Sequence, residues 1–588
     1  MAESIISPGV YTRENDTSFI TPAPIQAGAA FVGPTVKGPE NQPLIVTSYS
    51  DYVRKFGETF LSGSSFYEFL TSVSVKNYFQ NGGQTALVTR VVSGSYTAAA
   101  NTFISASAKG STEPFTIATL GKGATYNNAA GQFSATASNA AYNNTDGSLV
   151  SGSADNVRWE IANINNALGT FTISIRQGDD NTNNKTILET FTVDLDPNSD
   201  NYIEKVIGNQ YVTVATDSST GTSYNYFQGT FPNKSNYIRV STVNLATPNY
   251  LKNDGISVNL DSTNISYSAS LPTSNSGSFY NATGAVKSGA SYFGAIGTTS
   301  GESQGLVPTN YTTALSLLSN KDDYQFNIVS APGLISNAGF TATVSSFISL
   351  AESRGDCIAV VDLVKTGSIV SDVTIQAATI NSSYAATYWP WLQIQSATGR
   401  NEYTPAGVVI PGVYAFTDAS SAPWFAPAGL VRGGIGGVIQ AERKLTKGDR
   451  DTLYAAKVNP IATFPGTGIS VFGQKTLQTK ASALDRVNVR RLLIELKKFI
   501  GDQARNLVFE QNTIATRNKF LATVNPYLES VVQRQGLYAY RVVMDDTNNT
   551  ADVVDRNQLV GQIFIQPTKT IEFVVLDFTI EPTGATFA

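Results

Sequence analysis

Between Ser93 and about Gly305 the chain changes texture, and that change constrains its fold more than any other feature. Inside the stretch, short runs such as VRWEIANI, GTFTISIRQ, ETFTVDL and NYIRVSTV alternate apolar and polar residues, parted by turn clusters such as GDDNTNNK. Period-two runs punctuated by Asn, Asp, Gly and Ser build an all-β module, or two of them. Outside the stretch, helix-like and strand-like segments take turns. Residues 21–95 give strands at AAFVGP, PLIVTS and TALVTRVV, and a short helix at SDYVRKFG with a Ser-Asp start and a Gly stop. A longer helix in SSFYEFLTSVSVKNYFQNGG places Phe66, Phe69, Leu70 and Val73 on one face. From Leu306, YTTALSLLSN, FTATVSSFISLAESRG and VSDVTIQAATI read as helices between the strands QFNIVSAPGL, DCIAVVDL and AATYWPWLQI. Such alternation points to crossover units and a largely parallel sheet.

A chain of 588 residues is too long for one hydrophobic core. The expected fold class is α+β multidomain: an α/β core domain from 21–95 and 306–480, interrupted by an all-β insertion at 96–305, and a mixed α/β C-terminal domain at 481–588. The insertion belongs on a surface loop of its host, where added chain is tolerated. In the C-terminal part, Leu492, Leu493, Leu496, Phe499 and Ile500 form one apolar helical stripe, with Ser482 and Asp485 as a start pair. A second helix carries Phe520, Leu521 and Val524, and Asn525-Pro526 is expected to interrupt it before Leu528, Val531 and Val532. The strands AYRVVM, QIFIQP and IEFVVLDFTI follow.

The two chain ends, residues 1–20 and about 570–588, read as strands hung off a large body. At the C-terminal end Val574, Leu576, Phe578 and Ile580 share one face, opposite Asp577, Thr579 and Glu581. A strand at a chain end exposes unpaired N–H and C=O groups and invites another chain to pair with it.

Composition removes most catalytic chemistry. No histidine is present, so Ser-His-Asp and Cys-His arrangements and His-ligated zinc are out. The single Cys357 can form neither an intrachain disulfide nor a multi-thiolate site, and its setting in RGDCIAVVDL reads as a buried strand. Only 14% of residues are charged, and the net charge is −5. Residues 96–305 hold 10 basic and 15 acidic side chains out of totals of 40 and 45, so the excess negative charge sits in the insertion. There is no basic block, which argues against a nucleic-acid partner. No apolar run reaches the roughly 18–20 residues of a membrane span, and the N-terminus lacks a secretory leader pattern.

The motifs resolve to structural readings. RGGIGGVIQAERKLTKGD fits neither a phosphate loop nor a dinucleotide fingerprint. Asp194, Asp196, Asn198 and Asp200 start like a calcium loop, but Ser199 stands at the sixth position and Lys205 at the twelfth. Asp545-Asp546 opens a DDTNNT turn. No catalytic, cofactor or metal residues are therefore assigned. A two-carboxylate glycosidase needs no histidine, but nothing in the spacing selects a pair.

The runs DRVNVRRLLIELKKFIG and GLYAYRVVMDDTNNTADVVDRNQLVGQIFIQPTKTIEFVVLDFTIEPTGA closely resemble the contractile tail sheath proteins of long-tailed bacteriophages. SPGVYTREND, KFGET and VNPIATFPGTGISVFGQKT resemble the family's further motifs, in the family's order. The likeness covers about 1–95 and 306–588; Met544 departs from a cysteine common in relatives. It implies a structural subunit that stacks as hexameric rings around a tail tube in a metastable extended state. Contraction then drives the tube through the host envelope for genome ejection. The partners implied are further copies of the chain, the tube protein, and baseplate and tail terminator proteins; the setting is the virion, with assembly in the host cytoplasm. No cofactor, nucleic acid or membrane insertion is implied.

In the family, terminal arms add strands to the C-terminal domain of neighbouring subunits. Carried onto this chain, the linking residues are Gly9, Val10, Tyr11, Thr12, Arg13 and Glu14, with Ile571, Phe573, Val574, Val575, Leu576, Asp577, Phe578 and Ile580. Elbows are expected at Thr21–Pro24 and Gln566–Thr568. Arg490, Arg491, Lys497, Lys498, Arg505, Arg517 and Lys519 are assigned as tube or inter-ring contacts. Bacteriocin-like and secretion-type injection particles use related sheaths, and a non-contractile capsid or surface-lattice subunit shares the polar, β-rich composition; both stand as alternatives.

Overall fold

The computed structural model describes residues 25–62, 64–103, 114–128, 146–252, 254–259, 270–286, 296 and 301–573. Its centre is a six-stranded sheet in the order Ala385–Ala386, Ile358–Asp362, Tyr324–Ile335, Ile25–Gly33, Ala86–Arg90, Pro43–Val46. Only the Pro43–Val46 edge strand runs antiparallel to its neighbour. Ile25–Gly33 pairs in parallel with Tyr324–Ile335, Ala29 opposite Ile328 and Phe31 opposite Ser330. Residues from both sides of the 96–305 stretch thus lie hydrogen-bonded side by side.

Strands of a parallel sheet are covered on both faces and read as continuous apolar runs. Ala86–Arg90 and Ile358–Asp362 fit that rule, every residue being buried. Alternate residues feed two apolar layers. Phe31, Val88, Ile328 and Val360 pack with Val75, Tyr78, Val413 and Tyr414. Ala30, Val32, Leu87, Val329 and Ala359 pack with Phe340, Val344, Phe347 and Val373. Local chemistry sets the helix limits. The Ser48 hydroxyl accepts the Asp51 N–H at the start of Tyr49–Phe56, and Thr341–Arg354 stops at Gly355, whose φ of 69° suits a residue without a Cβ.

Two segments of the α/β part depart from the sequence reading. Phe66 does not join a helix: Ser65–Glu68 pairs with Thr59–Ser62 as a hairpin, and the helix begins at Leu70. The AATYWPWLQI stretch is not one strand but three, in three sheets, on either side of Pro390, whose missing N–H cannot continue a ladder.

Residues 96–286 carry their own core. A four-stranded sheet (Ile187–Asp194, Thr170–Gln177, Val157–Asn165, Asn275–Ser278) and a three-stranded one (Ile238–Val243, Phe115–Lys122, Ala98–Phe103) enclose Phe115, Phe171, Ile173, Val193, Ile203 and Ile238. The module is not a loose appendage. Lys37 pairs with Asp155 at 3.1 Å and Lys122 with Glu40 at 2.8 Å. The hairpin Tyr211–Thr216/Ser223–Gln228 lies against the α/β part, where the Ser223 N–H reaches Ser316 Oγ at 2.8 Å and the Asn225 amide donates to Tyr324 Oη at 2.7 Å.

The C-terminal part consists of helices Val487–Arg505 and Ile514–Gln533 packed on a two-stranded sheet, Leu537–Val543 with Gln562–Pro567. The second helix runs straight through Pro526 rather than breaking there. Phe520, Val524, Leu528 and Val531 form one buried stripe across the proline, and their burial outweighs the roughly 3 kcal/mol a helical proline costs. No helix among the described residues is long and apolar enough to cross a membrane.

Candidate intersubunit surface

The two-stranded sheet of the C-terminal part keeps backbone groups unpaired along its edges among the described residues. Leu537–Val543 and Gln562–Pro567 pair only with each other among the described residues, so each keeps an outer edge. Period-two alternation turns Tyr540, Val542, Ile563 and Ile565 towards the helix pair and Phe564 outward at 56% exposure, while Tyr538, the extra residue at the register shift between Leu537 and Ala539, is 66% exposed. Such a ribbon has amides to offer and apolar surface to cover.

Of the assigned linking residues, Gly9–Glu14 and Val574, Val575, Leu576, Asp577, Phe578 and Ile580 lie outside the described residues, as does the Thr21–Pro24 elbow. Ile571 and Phe573 are described, at 81% and 79% exposure, in a segment that forms no strand with its own chain. The elbow expected at Gln566–Thr568 is corrected: Gln566 and Pro567 end a paired strand, and Thr568 donates from Oγ1 to the Gln535 carbonyl at 2.8 Å and from N to the Gly536 carbonyl.

The seven assigned cations do not stay together. Arg490 is buried against the Tyr384 ring and donates to Ser383 Oγ. Arg491 is buried, 2.5 Å from Asp418 and stacked on Tyr414. Arg517 is buried, 2.7 Å from Asp546 and 3.0 Å from Asn512. These three are internal fastenings, and their assignment as surface contacts is corrected. Their partners lie 107, 73 and 29 residues away, beyond the reach of a local charge pattern. Lys497, Arg505 and Lys519 are exposed and Lys498 half-buried; Arg505 sits 3.2 Å from Asp322.

One further ion pair went unnoticed in the sequence. Arg486, at the base of the Val487–Arg505 helix, grips Glu572 through Nε at 2.6 Å and Nη2 at 3.0 Å, and Gln474 adds an amide at 3.1 Å. Burial works to raise the Glu572 carboxyl, but the Arg486 contacts outweigh it and hold the group below its usual range. The signal was the alternation in TKTIEF, which puts Thr568, Thr570 and Glu572 on one side.

The other motifs find plain structural roles. In RGGIGG, a Cβ on Gly433 would lie 2.6 Å from the Val471 carbonyl, and the Ile435 N–H binds the Ile469 carbonyl; the glycines admit a close backbone neighbour. In the DPNSD turn the Lys205 ammonium donates to the carbonyls of Pro197 and Ser199 at 3.0 and 2.9 Å, taking with its own charge the place a cation would need. Asp545 binds the Thr547 N–H while Asp546 turns to Arg517, so the two carboxylates diverge. Cys357 is buried, which pushes its thiol up. Among the described residues no group of three acidic or thiol side chains is placed to hold a metal ion.

Comparison with known proteins gives consistent matches. Residues 305–477 match the phage tail sheath protein central domain and residues 479–581 the phage tail sheath C-terminal domain. The tail sheath protein of Vibrio phage KVP40 is 40% identical over 217 residues, covering 37% of this chain and 31% of the relative. That of Enterobacteria phage T4 is 34% identical over 258 residues, covering 41% and 39%. The chain thus spans well under half the length of either relative. The crystal structure of a sheath tail protein from Listeria innocua superposes over 92% of this chain and 95% of its own, with a TM-score of 0.51 at 11% identity, a likeness of fold.

Proposed function

We propose that this chain, whose residues 305–477 and 479–581 match the phage tail sheath central and C-terminal domains, is a member of that family and the repeating subunit of a contractile sheath. Copies stack as hexameric rings around a tail tube, bounded by baseplate and terminator proteins, and are held extended by a kinetic barrier rather than by equilibrium. On triggering, the subunits swing as nearly rigid bodies and drive the tube through the host envelope. A release of about 1–3 kcal/mol per subunit, the size of ordinary coupling energies, sums over many rings to a large output without nucleotide.

The observation that carries this reading is the two-stranded ribbon, with two edges unpaired among the described residues and with Tyr538 and Phe564 exposed. Terminal arms from neighbouring copies, residues 9–14 and 571–580, complete it to four strands by main-chain pairing, with alternate side chains setting register. A head-to-tail contact of that kind does not close on itself and generates an open helical array. The acidic 96–305 module faces outward, a placement its separate apolar core supports. Lys497, Lys498, Arg505 and Lys519 remain as contacts to the tube or the next ring.

Electron microscopy tests the proposal. The full chain is expected to form hollow striated tubes. Removing residues 1–17, or everything after Thr570, is expected to leave folded monomers that form none. Normal tubes from either shortened chain would sink the arm reading, and shells or flat lattices from the full chain would favour a non-contractile coat.

A further inference from the structure

Beyond the paired strand ending at Pro567, the chain does not leave the body at once. Residues 568–572 stay against it, and every second side chain, Thr568, Thr570 and Glu572, bonds to it. Thr568 binds the turn at Gln535 and Gly536. Thr570 Oγ1 accepts the Asn488 amide at 3.2 Å, from a buried side chain that also donates to the Trp424 carbonyl. Glu572 closes the series in the Arg486 fork, with Gln474 beside it. The two residues flanking Glu572 face out, Ile571 and Phe573 both being about four-fifths exposed. Five residues at roughly 3.3 Å each carry the chain about 17 Å, from the ribbon to the base of the Val487–Arg505 helix.

That destination matters mechanically. Val487 and Ile494 on this helix belong to the same apolar cluster as Phe31 and Ile328 of the central sheet, while Leu492 and Leu496 belong to the C-terminal cluster. A fork of two parallel N–H···O bonds between guanidinium and carboxylate resists sideways slip better than a single contact. Asp485, 2.8 Å from Arg486, steadies the guanidinium from the other side.

We propose that Glu572, held by Arg486 and Gln474, is the fixed root of the C-terminal arm. Tension on the arm enters the body at Arg486, and so reaches the α/β core directly instead of passing through the two-stranded ribbon. The ribbon is left unloaded and keeps its register while it holds incoming strands. Glu572 is a positioning residue in this scheme: it fixes where the arm departs and touches no partner itself. The inference rests on the arm reading above, and the experiment separates the two.

The test compares full-length wild type, Glu572→Gln, Gln474→Ala and the exchange Glu572→Arg with Arg486→Glu. Amide hydrogen exchange on unassembled chains is expected to quicken about tenfold at 568–573 in Glu572→Gln, and less in Gln474→Ala, with 537–543 and 562–567 unchanged. Sedimentation should show several-fold fewer tubes in Glu572→Gln, and the charge exchange should restore both readouts towards wild type. Unaltered exchange, or wild-type tube yield from Glu572→Gln, overturns the clamp. If the chain cut after Thr570 still forms tubes, the arm reading fails and takes the clamp with it. If that cut abolishes tubes while Glu572→Gln behaves as wild type, the clamp alone fails.

Discussion

The central sheet and the C-terminal ribbon face the same requirement, that every strand amide find a partner, and meet it in opposite ways. The central sheet has helices on both faces, and its two edges are short: four residues at Pro43–Val46 and two at Ala385–Ala386. Short edges discourage pairing with foreign strands. The ribbon has strands of seven and six residues, helices on one face only, and two long edges without partners among the described residues. Its length would be a hazard in a protein meant to stay alone. In a protein meant to polymerise it is the receptor, and the contrast separates the part that folds the subunit from the part that joins subunits.

The largest effect expected is the all-or-none loss of tubes on removing either chain end, with the melting temperature of the monomer unmoved by the N-terminal cut and lowered only slightly by the C-terminal one, which also takes Glu572 from Arg486; a large fall would mean the ends also serve the closed core. Next in size is Phe31→Ala in the central strand. Phe31 is fully buried, so its truncation should cost about 3–5 kcal/mol, read from denaturant unfolding.

A smaller change concerns Asp362, which ends a central strand with its carboxylate taking the Gly407 N–H at 2.9 Å. Complete burial pushes this carboxyl up to about 7, against the opposing pull of that hydrogen bond. The folded state therefore keeps a proton that the unfolded chain sheds near pH 4. The group's contribution to stability is complete below that pH and is lost as pH rises to about 7, with a slope of up to about 1.4 kcal/mol per pH unit. Asp362→Asn should flatten the stability profile across this window; an unchanged slope from pH 4 to 7 would show that Asp362 is not its source. The smallest effect on the isolated chain is Phe564→Ala on the outer face of the ribbon: within about 0.5 kcal/mol for the monomer, yet with a measurable drop in tube yield. A monomer destabilised as much as by Phe31→Ala would break the distinction between the two sheets.

How much of this was legible in the sequence depended on how local the governing chemistry is. The helix Tyr49–Phe56 announced itself through Ser50-Asp51 and Gly57, although the residue that caps it is Ser48, and the all-buried strand Ile358–Asp362 through its unbroken apolar run. Phe66 misled because spacing of 66, 69, 70 and 73 satisfies a helix, whereas cross-strand pairing of Leu61 with Phe66 decided the matter. Pro526 misled because a local rule met a four-residue buried stripe that overruled it. The arginines misled most. A run of charges on a helix ordinarily marks a wetted face, and only the fold reveals Ser383, Asp418 and Asp546 waiting for Arg490, Arg491 and Arg517. For the same reason Glu572 stayed hidden, since its partner lies 86 residues earlier.

Ile25–Gly33 begins directly after the first 24 residues and sits in the middle of the sheet, flanked in parallel by Tyr324–Ile335 and Ala86–Arg90. A pull on its leading end runs along the strand, so both ladders are strained in shear and their hydrogen bonds share the load together. An edge strand peeled from one side would instead give way one bond at a time, like a zip. Seated between two neighbours, this strand turns a modest set of weak bonds into an anchor suited to sudden force.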